Sequence, residues 1–553
     1  MDASFYRYNI CRKTIVCRQA YGGTGNPPAY QRKYYKGRGL IMGVVKKGIE
    51  MKLNVKPVFI DFTHEYVYEG PCRFGQGDTL KPEYDRFLNG EIFKGFVQAA
   101  QANVPECVHL MPAVRVKNYT DAFNVSESDM QEILAPDDTD VYLLTSSGRG
   151  TQVFIEFARR CKKPIAYYND VLFAVTTDVT AMKARGAEVY PVYDWKLAKD
   201  MFKALTVRKV LANTRALVLN RFATDVSPVS AQDGFLSLEK VKDKLGVNFN
   251  VMDIHEYLDM LTNRPADENP TQPGRMMNNI NDEDMVHINE ITKSLIAGSD
   301  ECEIEEKYVS NSVRAYYLAK KLLSFRDCNA FTAPCPDMCS TRRLNQEKCT
   351  LCLTHSLLEE EGIPSACEAD LNILMCKVIL ESLTEKSTYM GNTCWLRIVD
   401  GKITAPDFNS VTPKEFEKIK DIPNLMVTLH SVANRKLKGY DKVDENYALR
   451  SFAFSGWGAT MRYDFSKDLD QTVTVVRIDP TCEKMLVIRG KIKGQFGYGR
   501  QNCSTAVIYQ VEDAQSAYEK TFDFGSHMAL VYGDYTKELE MVCKVLGLEM
   551  VVA

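Results

Sequence analysis

TDVYLLTSSGRGTQVFIEFARRCKKPIAYYND, residues 139–170, decides the fold class. Residues 139–147 are a short apolar run, the pattern of a strand covered on both faces in a parallel sheet. Gly148 and Gly150 break it, and Val153, Phe154, Phe157 and Ala158 then recur at helical spacing. KPIAYYND supplies the next strand, which completes a βαβ unit. The SSGRGT turn has neither a GxGxxG fingerprint nor a P-loop lysine. Tight-turn geometry accounts for its glycines, and nucleotide binding is not expected.

Working outward, the same texture continues. Upstream, residues 40–62 carry apolar runs that become β-branched toward their end. Downstream, VLFAVTTDVTAMKARGAEVYPVYD repeats the pattern, and RALVLNRF (215–222) opens a second α/β unit. The Pro-rich, polar stretch from Asn263 to Asp284 reads as a linker, followed by an amphipathic helix over 304–325. From about residue 390 the chain changes character. QTVTVVRI (471–478), KMLVIRGKIKG (484–494) and STAVIYQV (504–511) are antiparallel strands of a barrel or sandwich, and KELEMVCKVLG is a closing helix. The expected architecture is two Rossmann-like α/β domains, 1–205 and 206–384, followed by a β-rich, barrel-like domain, 385–553.

Composition narrows the function. The 553 residues hold 69 Lys+Arg against 72 Asp+Glu, a net charge of −3, so no basic field exists to hold nucleic acid or an anionic membrane. No apolar stretch is long enough for a membrane span, and MDASFYRYNICRKTIVCRQ lacks an apolar signal core. A cytoplasmic protein with 17 largely reduced cysteines is expected. Cys328, Cys335, Cys339, Cys349 and Cys352 include one CxxC and one CxxxC. That is ligand spacing for zinc or an iron–sulfur cluster, and equally the spacing of small thiols packed in a core. Unbridged, metal-free thiols are expected at Cys335, Cys339, Cys349 and Cys352.

Among motifs, ACEADLNILM (366–375) places Glu368 and Asp370 in the first turn of an apolar helix, where acids are favoured by the helix dipole alone. Of seven histidines, His527 precedes an apolar strand in FGSHMALVYGDY. These pieces, the stretch from Cys352 to Asn392, the pair His430–Ser431 and the strand-rich block reaching Cys503 resemble the C-terminal two-thirds of the L-fucose isomerase family, which is related in fold to L-arabinose isomerase. The resemblance covers residues 330–550; over 1–260 only the α/β texture and the TSSGRGT turn match.

What the resemblance implies is a cytoplasmic, Mn2+-dependent aldose–ketose isomerase, working through an ene-diol on an open-chain sugar or deoxy-sugar. Another divalent cation could replace Mn2+. The partners implied are a small-molecule sugar and further copies of the chain, as a hexamer or trimer. Carried over by position, the metal ligands are Glu368, Asn392 and His527, with Glu368 and Asn392 as the catalytic pair. Asn392 stands where the family has an aspartate. Its carbonyl oxygen can still coordinate, but it cannot take a proton. Asp370 or a metal-bound water could substitute, or the reaction could be a lyase or other metal–enolate step, or the chain a non-catalytic relative. Arg450 and Trp457 fall in LRSFAFSGWG, where a guanidinium could grip an anion and an indole could stack on a sugar. Arg500 lies upstream of Cys503, Ser504 and Thr505.

Overall fold

The computed structural model describes residues 43–67, 69, 75–119, 126–135, 138–148, 151–221, 233–262, 280–403 and 411–553. Its first sheet is wholly parallel. Strand Leu53–Thr63 pairs on one side with Val108–Leu110 and Val114–Tyr119, and on the other with Val141–Ser146. Ile165–Tyr168 and Val189–Val192 then extend the sheet. Every residue of Val141–Ser146 is buried, as its uninterrupted apolar run requires. Residues 149 and 150 of the glycine turn lie outside the described residues.

A second parallel sheet runs Asn248–Asp253, Arg215–Asn220, Ala330–Ala333, Ser365–Cys367. The helix Trp195–Ala212 joins the two sheets, so the boundary expected at residue 205 falls inside a helix. A further helix, Asp282–Gly298, begins within the stretch read as linker, capped by Asn281 in a reciprocal capping box with Asp284. Residues 263–279 of that stretch lie outside the described residues.

The C-terminal strands close a barrel. Tyr389–Trp395 lies between Leu425–His430 and His527–Tyr532, and the ring continues through Thr505–Gln510, Lys484–Phe496 and Thr472–Ile478 back to His527–Tyr532. Alternate residues divide the faces. Val473, Val475, Leu486, Ile488, Val507 and Tyr509 fill one apolar cluster, while Val476, Met485, Val487, Ala529 and Val531 join another that includes the helices Trp195–Ala212, Leu371–Thr384 and Thr536–Leu546. Not all of 385–553 is barrel. Tyr447–Ser451 and Ala459–Tyr463 form a small sheet with Glu301–Glu303 and pack with the second α/β unit.

Leu371–Thr384 is the centre of the assembly. Ile373, Leu374, Ile379 and Leu380 are all fully buried, each contributing about 1.5–3 kcal/mol of burial. No helix among the described residues is long and apolar enough to cross a membrane.

Candidate metal centre

Glu368 stands in the turn that takes strand Ser365–Cys367 into helix Leu371–Thr384. The helix begins at Leu371, with Asp370 as its N-cap accepting from the Ile373 backbone N–H at 3.0 Å, so Glu368 lies just outside the first turn in which the sequence placed it. Glu368 and Ala369 both hold left-handed backbone, φ 62° and 52°. Such conformations cost non-glycine residues of order 1–2 kcal/mol and collect at functional sites.

Two barrel histidines meet this carboxylate. His430 ends strand Leu425–His430 and His527 begins strand His527–Tyr532, on either side of Tyr389–Trp395. His430 Nε2 lies 3.4 Å from Glu368 Oε1, and His527 Nε2 lies 3.7 Å from Oε2. The imidazole centroids are 5.8 Å apart. Strand 389–395 crosses here at Gly391, where a Cβ would stand 2.5 Å from the Leu429 carbonyl oxygen, so only glycine permits this backbone approach. Ligand atoms of Glu368, His430 and His527 all fall within 4.8 Å of one another. Both ring nitrogens of His430, and Nε2 of His527, are buried without a hydrogen-bond partner. One carboxylate oxygen and two imidazole nitrogens form a donor set suited to a divalent transition metal.

The orientation of His527 is fixed from behind. Its Nδ1 lies 3.1 Å from Asp370 Oδ2, which also accepts from Arg477 Nη1 at 2.7 Å. Arg477 further donates to the carbonyls of Phe524 (2.5 Å) and His527 (3.0 Å). A carboxylate on Nδ1 holds the proton there and turns the Nε2 lone pair toward Glu368. Burial pushes Asp370 up, but Arg477 and His527 outweigh it and hold the carboxyl below the usual range. The His430 ring close to Oε1 holds Glu368 below its ordinary value despite burial, with the charge of His527 adding to it. Burial lowers His430, whereas the Asp370 contact raises His527 against its own burial.

The remaining expected residues are placed as follows. Asn392 is paired in register with His527, and its exposed side chain lines a cleft of about 960 Å³. Leu429 and Ser526, each immediately preceding one of the histidines, line the same cleft. Arg450 is held by Glu301 and Glu303 of the small sheet, which occupies the guanidinium the sequence offered to an anion. Trp457 lies half-buried beneath the Lys348 ammonium, 5.4 Å from its ring centroid. His430 is the member of the group that sequence reasoning missed; its signal was a histidine closing the apolar run LMVTLH.

The cysteines near 335–352 are free, as are all those among the described residues. The Ser431 hydroxyl reaches Cys352 Sγ at 3.2 Å and Cys503 Sγ at 3.6 Å, and burial pushes the Cys503 thiol up to about 12. Among the described residues, the only group of three or more ionisable ligands so gathered is Glu368, His430 and His527. Neither a protein-family profile nor a curated protein matches the chain.

Proposed function

We propose that this chain is a metal-dependent aldose–ketose isomerase of the L-fucose isomerase type, with Mn2+ held by Glu368, His430 and His527. The observation that carries the reading is the convergence of one carboxylate and two imidazoles with buried ring nitrogens that nothing else engages. The bound ion would supply Lewis-acid polarisation of the sugar's carbonyl and hydroxyl oxygens. Glu368 is the group that moves the proton. It is half-buried, and as a carboxylate it can accept a proton. Asp370 orients His527 and does not take part in the transfer, because Arg477, His527 and the Ile373 N–H already claim its oxygens. Asn392, paired with His527 across two neighbouring strands, offers a carbonyl oxygen and an amide to the substrate. The same resemblance in sequence supports a hexamer or trimer.

Solvent-deuterium exchange into a panel of aldoses and ketoses, after Mn2+ loading, tests the reading. Glu368→Gln should cut exchange by about 10²- to 10⁴-fold. Retention of wild-type exchange in that variant would sink it. One observation favours a second reading, lyase chemistry through a metal-stabilised enolate: among the described residues, no second carboxylate is free to share the proton transfer at this group.

A further inference from the structure

We propose that the cleft beside the metal group takes a sugar derivative ending in an oxyanion, a carboxylate or a phosphate, and that Arg500 is its anchor. The proposal rests on the metal-site reading above and adds the substrate's charge to it. Three observations carry it.

Arg500 lines the same cleft as Leu429 and Ser526, which directly precede His430 and His527, and as Asn392, which is paired in register with His527. Its exposed side chain makes no ion pair or hydrogen bond with any described residue, although most arginines nearby are paired. Beneath the loop that carries it lies a second guanidinium. Arg462 is fully buried and donates only to neutral oxygens: Thr505 Oγ1 at 2.5 Å, the Asn502 carbonyl at 2.9 Å and Ser504 Oγ at 3.4 Å. Its Nε has no partner.

A buried cation without a counter-ion is costly, and no described carboxylate lies within ion-pair distance of either arginine. The acidic groups whose charge bears most on Arg462, the thiols of Cys352 and Cys503 and the phenol of Tyr389, are held protonated by burial. Arg500 thus stands on the wall of the cleft, with Arg462 buried behind residues 502–505, and neither positive charge has a carboxylate partner. A neutral sugar leaves that field unanswered, whereas a terminal oxyanion answers it, with the planar fork of Arg500 matched to carboxylate or phosphate oxygens. Arg450, the arginine the sequence offered for this purpose, is already held by Glu301 and Glu303.

Calorimetric titration of the full chain with three linear probes tests the assignment: D-glucitol, D-gluconate and D-glucitol 6-phosphate. Each is run on EDTA-treated protein and on Mn2+-loaded protein. The metal-free arm removes direct ligation of the anion by the ion. We expect at least one anion to bind ten-fold or more tighter than glucitol in both arms. The tighter of the two anions identifies carboxylate or phosphate as the recognised group. Arg500→Gln, at an exposed position, should abolish the preference. Equal affinity of all three probes for metal-free wild type overturns the proposal, and so does a preference that survives Arg500→Gln. Failure of the metal-site reading looks different: no Mn2+ uptake, with the anion preference intact in metal-free protein.

Discussion

Two buried charge clusters sit on the helix Leu371–Thr384 and follow opposite rules. At its N-terminal end, Glu368 faces His430 and His527, and three ring nitrogens have no hydrogen-bond partner. Farther along, Lys377 and Glu381 form a second cluster with Glu359, all three fully buried. There each carboxylate oxygen is met. Glu359 accepts from the Ser365 N–H at 2.6 Å and the Ser387 hydroxyl at 3.2 Å, and lies 3.1 Å from Lys377 Nζ. Glu381 accepts from Tyr440 at 3.0 Å, and the Thr388 hydroxyl lies 3.2 Å from both carboxylates. Burial and the charge of Glu359 push Glu381 well up, so it keeps its proton. Burial alone therefore does not mark a site. What separates the clusters is the carboxylates: those of Glu359 and Glu381 already have hydrogen-bond donors, with Lys377 Nζ held only by its ion pair, whereas Glu368 and the ring nitrogens facing it have no hydrogen-bond partner and are open to a ligand.

The sharpest way to break this comparison is Lys377→Met. It strands Glu359 without its cation and should cost about 3–5 kcal/mol in urea unfolding, with Mn2+ stoichiometry unchanged in the folded fraction. A drop in metal uptake would show the two clusters to be one site. Next in size, Mn2+ at a hundred times its dissociation constant should stabilise wild type by about 2.7 kcal/mol. The Glu368→Gln variant should lose most of that gain, and an equal gain in both proteins would place the ion elsewhere.

A third test uses acid. Burial, with the nearby charges of Lys377 and His430, pulls His355 down to about 3. Above the ordinary histidine value both states are neutral and pH does nothing. Below it only the unfolded chain takes the proton, so stability falls by about 1.4 kcal/mol per pH unit until the folded value is reached. Asp370 and Glu368 act lower, their stabilisation fading only as pH drops beneath the usual carboxylate range. His527 has the reverse sign, its contribution being lost as pH rises through its elevated value. Comparing His355→Gln with wild type between pH 6 and 4 isolates the first effect. The variant should show the shallower slope, and parallel slopes would refute the assignment. The smallest expected effect is at Asn392→Ala. Its exposed side chain should change stability by less than about 0.5 kcal/mol, so any loss must appear in probe binding; a larger change in unfolding would mean that the amide holds the strand.

Much of the scaffold was legible because it rests on local pattern. The run at Val141–Ser146 and the alternating barrel strands are buried as their sequences require. Glu368 and His527 were legible through motif order. His430 was not, since nothing local distinguishes a ligand from a core histidine until two non-adjacent strands bring it to Glu368. The partners of Arg450 were hidden for the same reason, lying near residue 300 on a strand of three residues. Helix Asp282–Gly298 was masked by the Pro-rich stretch in which it begins, and the break drawn at 205 cut a helix whose apolar residues face several neighbours rather than one stripe.

The burial of Leu371–Thr384 has a consequence for how the chain is made. Eleven consecutive residues, Leu371 to Glu381, are buried, and part of their cover is barrel strand not yet synthesised when they leave the ribosome. Until roughly 150 further residues follow at about 5–20 per second, the nascent chain must carry an apolar rod, studded with Lys377 and Glu381, that no partner shields. Shielding by a chaperone, or slow translation ahead of the barrel, would bear directly on yield. A fragment ending at 384 should aggregate rather than fold.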